Sequence, residues 1–99
     1  MATTGLTSKK LLTPEQMMGK ARLFGDVTIE VNGNLDFHEH HGEIEAYYIL
    51  EGTGLYDDNH EKQYTVSAGD VTYCESGKGH GIINTGDTTL RFIALIINE

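Results

Sequence analysis

The sequence has no tryptophan, a single proline, a single cysteine and seven basic residues among its 99. With Cys74 alone an internal disulfide is excluded, and because this composition fits a reducing compartment, we expect a cytoplasmic protein. The fifteen acidic residues give a formal net charge of -8, which repels phosphate groups and predicts neither a nucleic-acid partner nor an anionic membrane partner. No apolar run approaches the roughly 18 residues of a membrane span, and residues 1–7 lack the apolar segment of a signal peptide.

The chain has the length of one domain with one core. A domain of this size buries only about 60 to 65 per cent of its unfolded surface, so its margin of stability is thin. The run from Leu90 to Ile97 is apolar on both faces after Phe92, so one face can belong to the core and the other to an interface between two copies. We therefore expect a homodimer.

Short strands and turns account for most of the chain. Val27, Ile29 and Val31 alternate with polar residues, which is the period of a half-buried strand, and turn residues recur at short intervals after them. No long amphipathic helix is predicted. The pattern favours an all-β antiparallel sandwich or small barrel formed by residues 23–99.

Residues 1–22 are predicted to form an N-terminal arm that is either loose or docked on a partner. Within it, Thr13 is a candidate helix cap, Pro14 suits the first helical position, and Gln16 occupies the reciprocal position of a capping box. Gly19 ends this helix early. We expect a short helical turn of little more than one turn.

The stretch from His38 to Glu45 concentrates three of the five histidines and three acidic residues in eight positions. Side chains alternate along an extended strand, so His38 and His40 lie on one face and Glu39 on the other. Five residues after His40, Glu45 offers a carboxylate in an apolar run that also has strand character. Two imidazoles and a carboxylate suit a divalent transition metal.

Two spaced motifs extend this pattern. The first is His38-x-His40-x4-Glu45-x6-Gly52, and the second is Gly69-x5-Glu75-x-Gly77-x2-His80-x3-Asn84. Together they closely resemble the two signature motifs of the cupin superfamily over about residues 26 to 97, with Glu75 where the second motif usually has proline. The resemblance implies a single-domain jelly-roll barrel of about six to eight strands that holds one metal ion. The ligands that it implies are His38, His40, Glu45 and His80.

Strand alternation assigns further residues to a substrate pocket. If Glu45 and His80 point inward, the residues two and four positions further along each strand also point inward. The pocket residues predicted in this way are Tyr47, Ile49, Ile82 and Asn84. Such a pocket is partly apolar, with one phenol and one amide, which suits a small molecule.

Five other side chains could take part in chemistry, but no sequence motif assigns them to the site. His41 and His60 are expected to be exposed, the second of them in an acidic loop tip. Glu43 either lines the mouth of the site or is simply exposed, and Arg91 either reaches an anionic ligand or lies on the strand surface. Cys74 has no base beside it, so we expect a small buried hydrophobic residue.

The segments that follow Glu45 and surround His80 are similar to the small single-domain cupins often described as oxalate decarboxylases. Established two-cupin enzymes of that kind use manganese, a mobile carboxylate as proton donor, and an arginine shortly before the first histidine. In this chain Leu35 stands at the position of that arginine. The candidate proton donors are Glu43, Glu75 and Tyr47. No pattern selects one of them, so the catalytic residues stay unknown at this level.

We therefore expect a metal-dependent enzyme that acts on a small carboxylate such as oxalate, as a decarboxylase or an oxidase-like enzyme. The alternatives are a non-catalytic cupin that binds a small ligand, and a sugar or keto-acid isomerase, which needs a polarised carbonyl and a nearby base. The expected cofactor is one divalent transition metal. Manganese comes first, and iron, nickel, cobalt and zinc are also accepted by three histidines and a carboxylate.

Overall fold

A computed structural model describes residues 2–99, and these residues form eight β-strands and no helix. The strands are β1 (Thr4–Lys10), β2 (Ala21–Glu39), β3 (Glu43–Glu51), β4 (Thr53–Asp58), β5 (Lys62–Ser67), β6 (Val71–Cys74), β7 (Gly79–Asn84) and β8 (Leu90–Asn98). The all-β class predicted from the sequence is confirmed. Nothing in residues 2–99 has the character of a membrane-spanning helix.

All eight strands belong to one antiparallel sheet in the order β5-β4-β7-β2-β8-β3-β6, and β1 pairs with β2 outside this path. The 19-residue strand β2 holds the sheet together, because its first half pairs with β8 and its second half with β7. The sheet curls around a single core, as the expected jelly-roll barrel requires.

Strict alternation along the strands builds that core. In β8, Leu90, Phe92, Ala94 and Ile96 are buried, whereas the residues between them are partly exposed. In β3, Tyr47 and the positions two before and two after it are buried in the same way. Inward-facing positions of strands that are far apart in sequence therefore meet inside the barrel.

Part of the predicted N-terminal arm lies on the barrel of its own chain. Residues 4–10 form β1, which pairs with β2 in a register that places Ser8 opposite Val27. Strand β2 itself begins at Ala21. The boundary between residues 22 and 23 as a division of the chain stays a prediction, and Met1 lies outside the described residues.

The predicted capping box is present in the turn between β1 and β2. The Thr13 backbone N–H donates to Gln16 Oε1 at 2.8 Å, and the Gln16 backbone N–H donates to Thr13 Oγ1 at 3.2 Å. Backbone hydrogen bonds from Met17 to Thr13 and from Met18 to Glu15 complete a single turn.

Gly52 shows why the first motif ends in glycine. It is the only residue between β3 and β4, and its φ of 87° is a conformation that L side chains rarely adopt. A Cβ atom at this position would lie 2.4 Å from the backbone oxygen of Thr89. The tight connection that sets β4 beside the core therefore requires glycine.

Candidate metal centre

Strands β2, β3 and β7 bring the four predicted ligands together inside the curled sheet, although β8 lies between β2 and β3. His38 lies near the end of β2 and His40 directly after it, Glu45 lies in β3, and His80 lies in β7 directly opposite His38. Their potential ligand atoms all lie within 4.8 Å of one another. Residues separated by as many as 42 positions thus form one cluster of three imidazoles and a carboxylate.

The Glu45 carboxylate lies at the centre of this cluster. Its Oε1 atom is 2.8 Å from Nε2 of His40 and of His80, and 3.6 Å from Nε2 of His38. An imidazole lone pair and a carboxylate oxygen repel each other at such distances, so these contacts need a proton or a cation between them. His40, Glu45 and His80 are buried, whereas 34% of the His38 side chain is exposed, which leaves access on that side.

Each imidazole of the cluster has its Nδ1 atom hydrogen-bonded to a partner outside it. The pairs are His38 with the Asp36 carbonyl oxygen at 2.8 Å, His40 with the Glu43 carboxylate, and His80 with the Tyr56 hydroxyl at 2.7 Å. Partners of this kind fix the ring orientation of metal-ligating histidines and leave Nε2 for the metal. The donor set and its surroundings therefore fit a transition metal, which the cluster could hold.

The protonation states favoured by the surroundings also suit metal ligation. Burial opposes ionisation of Glu45, but the neighbouring imidazoles of His38 and His80 outweigh it and lower the pKa of Glu45 to about 2. Burial lowers the pKa of His80, which keeps this imidazole neutral. The nearby Glu45 carboxylate raises the pKa of His38, so a proton competes with a metal at this imidazole.

A cavity of about 190 Å³ adjoins the cluster inside the barrel. Its walls are mainly apolar and come from β1, β2 and β8, with Leu6, Leu23 and Leu35 among them. Polar side chains reach it from Glu45 and Tyr47. Among the described residues, no lysine or arginine lines this cavity.

Comparisons with known proteins agree with this geometry. A family model described as "Cupin domain" matches residues 25–96. The chain belongs to the cupin family. An oxalate-binding protein of Thermotoga maritima is 46% identical over 87 residues, which cover 88% of this chain and 71% of that one. An uncharacterized protein of Methanocaldococcus jannaschii is 32% identical over 89 residues, which cover 90% and 70% of the two chains.

Solved structures extend the comparison to three dimensions. The crystal structure of a predicted oxalate decarboxylase from Thermotoga maritima matches with a TM-score of 0.92 and 42% identity, over 95% of this cupin and 81% of that chain. The polyketide cyclase RemF from Streptomyces resistomycificus matches with a TM-score of 0.81 and 20% identity, over 99% and 68% of the two chains. The second likeness shows the shared fold alone.

The four predicted pocket residues of this cupin have different surroundings. Tyr47 lines the cavity, and its hydroxyl lies 3.2 Å from Nε2 of His80. Ile49 and Ile82 are buried in the hydrophobic core. The Asn84 side-chain amide donates to two backbone carbonyl oxygens, at 3.0 and 2.9 Å. Their roles as substrate contacts stay predictions.

The remaining candidates are engaged in local contacts. His41 is largely exposed and lies 3.3 Å from a Glu39 oxygen. Cys74 is buried, and burial raises the pKa of its thiol to about 11, as suits a packing residue. His60 has an exposed side chain but stacks on Phe37, with ring centroids 3.6 Å apart. The sequence offered no signal for that stacking.

Glu43 and Arg91 each take part in an ion pair. Arg91 binds Asp26 on the neighbouring strand through two hydrogen bonds, so its guanidinium does not face the cavity. Glu43 accepts two hydrogen bonds from Arg22, and it also contacts His40. The Arg22 guanidinium, followed by the smaller effect of His40, lowers the pKa of Glu43 to about 2.

Replacing His80 with alanine is expected to remove most of the bound metal, because the ligand set loses a buried imidazole that no neighbouring side chain replaces. Elemental analysis of the purified protein after reloading measures the metal content. His41→Ala is the matched control, since that imidazole lies outside the cluster and is exposed. Equal metal content in the parent and His80→Ala would contradict this assignment.

Proposed function

We propose that this cupin holds one divalent transition metal on His38, His40, Glu45 and His80 and binds a small carboxylate through it, with oxalate as the first candidate. The convergence of three Nε2 atoms on one carboxylate oxygen, with every Nδ1 atom engaged elsewhere, is the observation that carries the proposal. When bound, the metal supplies a Lewis acid with open positions for the ligand.

The composition of the cavity supports an anion that binds through the metal. No basic side chain from residues 2–99 lines it. Leu35, which stands at the sequence position of the anchoring arginine, is part of this lining. A buried carboxylate needs a positive partner, because an unpaired charge away from water is costly. The similarity to a protein named for oxalate binding points to the same ligand class.

Manganese is the first metal that we propose to test. The ligands are three imidazoles and one carboxylate, which also accept iron, cobalt, nickel and zinc. Affinity alone ranks manganese low among these metals, so supply in the cell contributes to the choice.

Oxalate is expected to bind the manganese-loaded protein and not the protein stripped by a chelator, because the cavity offers the anion no other cation. Isothermal titration with each form measures the difference. A manganese-soaked His80→Ala variant serves as a further control, since it retains the cavity walls. Equal oxalate affinity with and without metal would refute the proposed binding mode.

Turnover of the same carboxylate is the second candidate function, and Tyr47 favours it. Its hydroxyl lies beside the cluster, and burial raises the pKa of Tyr47 well above its ordinary value, so the phenol stays protonated. Glu43 is held ionised by Arg22, and Glu75 is exposed and pairs with Lys78 at 3.0 Å. Of the three proton donors considered, Tyr47 is the one that reaches the cavity.

Decarboxylation of oxalate breaks its carbon–carbon bond, releases carbon dioxide and places one proton on the remaining carbon to give formate. If Tyr47 positions the substrate or supplies that proton, Tyr47→Phe lowers formate production by about a hundredfold without loss of metal. An enzymatic formate assay with parallel metal analysis measures both. If the metal-loaded parent forms no formate, the binding function stands alone.

We also propose that two copies of the chain pair through the outer face of β3 and β6, which adjoins the outer face of β8 that the sequence suggested as an interface. Tyr48 and Val71 are cross-strand partners there, and Tyr73 lies beside them. Their exposed fractions are 49%, 66% and 58%. These three side chains carry no charge, so two chains of net charge -8 can meet there without opposing like charges.

Tyr73→Glu is expected to shift the protein from dimer to monomer, because a carboxylate at a two-fold interface meets its own copy. Light scattering coupled to size-exclusion chromatography measures the mass. Tyr64→Glu, at a half-exposed tyrosine on β5, is the control. A monomeric parent, or a variant that remains dimeric, would contradict this interface.

A further inference from the structure

A chain of polar contacts leads from the protein surface to the cluster. The Arg22 guanidinium donates from Nε to Glu43 Oε1 at 2.8 Å and from Nη2 to Glu43 Oε2 at 2.7 Å. The same Oε2 atom contacts Nδ1 of His40. His40 in turn approaches Glu45 Oε1 through Nε2 at 2.8 Å. A single side chain, Glu43, therefore lies between Arg22 and the proposed metal ligand His40.

The backbone around Arg22 is irregular where this chain begins. On β8, Ile97 and Ile96 are consecutive, but on β2 they pair with Ala21 and Leu23. Arg22 is thus the extra residue of a β-bulge. Bulges redirect side chains and are frequent beside active sites. This one directs the guanidinium past the end of β8 to Glu43, which lies on β3, the strand beyond it.

We propose that Arg22 is a positioning residue for the metal centre and that it acts on His40 through Glu43. The inference rests on the proposed metal binding. A two-point contact fixes both oxygens of a carboxylate in one plane, which a single contact does not. Glu43 held in this way fixes the His40 ring, keeps its proton on Nδ1 and directs the Nε2 lone pair into the cluster.

The direction in which metal affinity changes after loss of Arg22 distinguishes a positioning role from a simple charge effect. Arg22 is a cation near a proposed site for another cation, so by Coulomb repulsion alone its removal would tighten metal binding. Loss of positioning instead weakens metal binding, because Glu43 is then free to rotate away from His40. A weaker metal affinity after Arg22→Ala therefore indicates positioning.

A second ion pair provides a matched control. Arg91 donates from Nε and Nη2 to Asp26 at 2.9 and 2.6 Å, which is the same two-point geometry. The exposed fractions of the two arginine side chains are 43% for Arg91 and 57% for Arg22. Asp26 also lies on β2, but neither member of this pair contacts the cluster.

The test measures the affinity of each variant for Co²⁺ by competition with a chelating dye, at a temperature at which every variant is folded. We expect Glu43→Ala to weaken binding by about a hundredfold and Arg22→Ala by about tenfold, the range typical of outer partners of metal ligands. Arg91→Ala should leave the affinity unchanged. In the Glu43→Ala background, Arg22→Ala should cause no further loss of affinity, because its route to His40 is already lost.

Nitrogen-15 NMR of the metal-free protein observes the His40 ring directly, and a change in folding stability alone does not alter this signal. In the parent, Glu43 is expected to hold the His40 Nδ1 proton so that this proton exchanges slowly with water. Arg22→Ala should speed the exchange, and Arg22→Lys should restore the parent rate only in part. A parent that binds no Co²⁺ would refute the proposed function, and the NMR comparison would still test the positioning. Affinity equal to or tighter than the parent in Arg22→Ala, or an unchanged exchange rate of the His40 Nδ1 proton, would overturn the proposed positioning role of Arg22.

Discussion

The contact of one buried carboxylate with three imidazoles is the interaction on which the site of this cupin depends. A carboxylate removed from water is costly unless charge and hydrogen bonds compensate it. Glu45 is compensated by three imidazoles, two that precede it by five and seven residues and one that follows it by 35 residues in sequence. His38, Glu45 and His80 lie on paired strands. His40 directly follows β2, and its backbone is hydrogen-bonded to the loop before His80, so all four side chains have an ordered backbone behind them.

A second ring of contacts decides how the imidazoles are directed. Its members come from a bulged part of β2, from the first residue of β3 and from the middle of β4. They include one carbonyl oxygen, one carboxylate and one phenol, and each engages Nδ1. These three segments are consecutive in sequence but not adjacent in the sheet, and the curl of the sheet brings all of them around the cluster. The fold thus provides ring orientation as well as ligands.

The distribution of charge around the cluster bears on the ligand that we propose for it. The chain is strongly acidic, and the cavity beside the cluster has apolar walls and no basic side chain among the described residues. An anion in that cavity finds its positive partner in a metal, so ligand binding and metal binding are coupled in this proposal. The same cupin fold also occurs in a polyketide cyclase, and the fold alone therefore leaves the chemistry open.

The sequence alone determined the all-β class, the capping box at Thr13, and the shared face of His38 and His40, because each follows from neighbours a few residues apart. His80 was assigned through the resemblance to cupins, and the fold places it opposite His38. Only the tertiary structure revealed Arg22, Tyr56 and the place of residues 4–10 on β2. Strand alternation encodes which face a side chain takes. Which strands meet, and where a bulge shifts their register, depends on packing across the whole sheet.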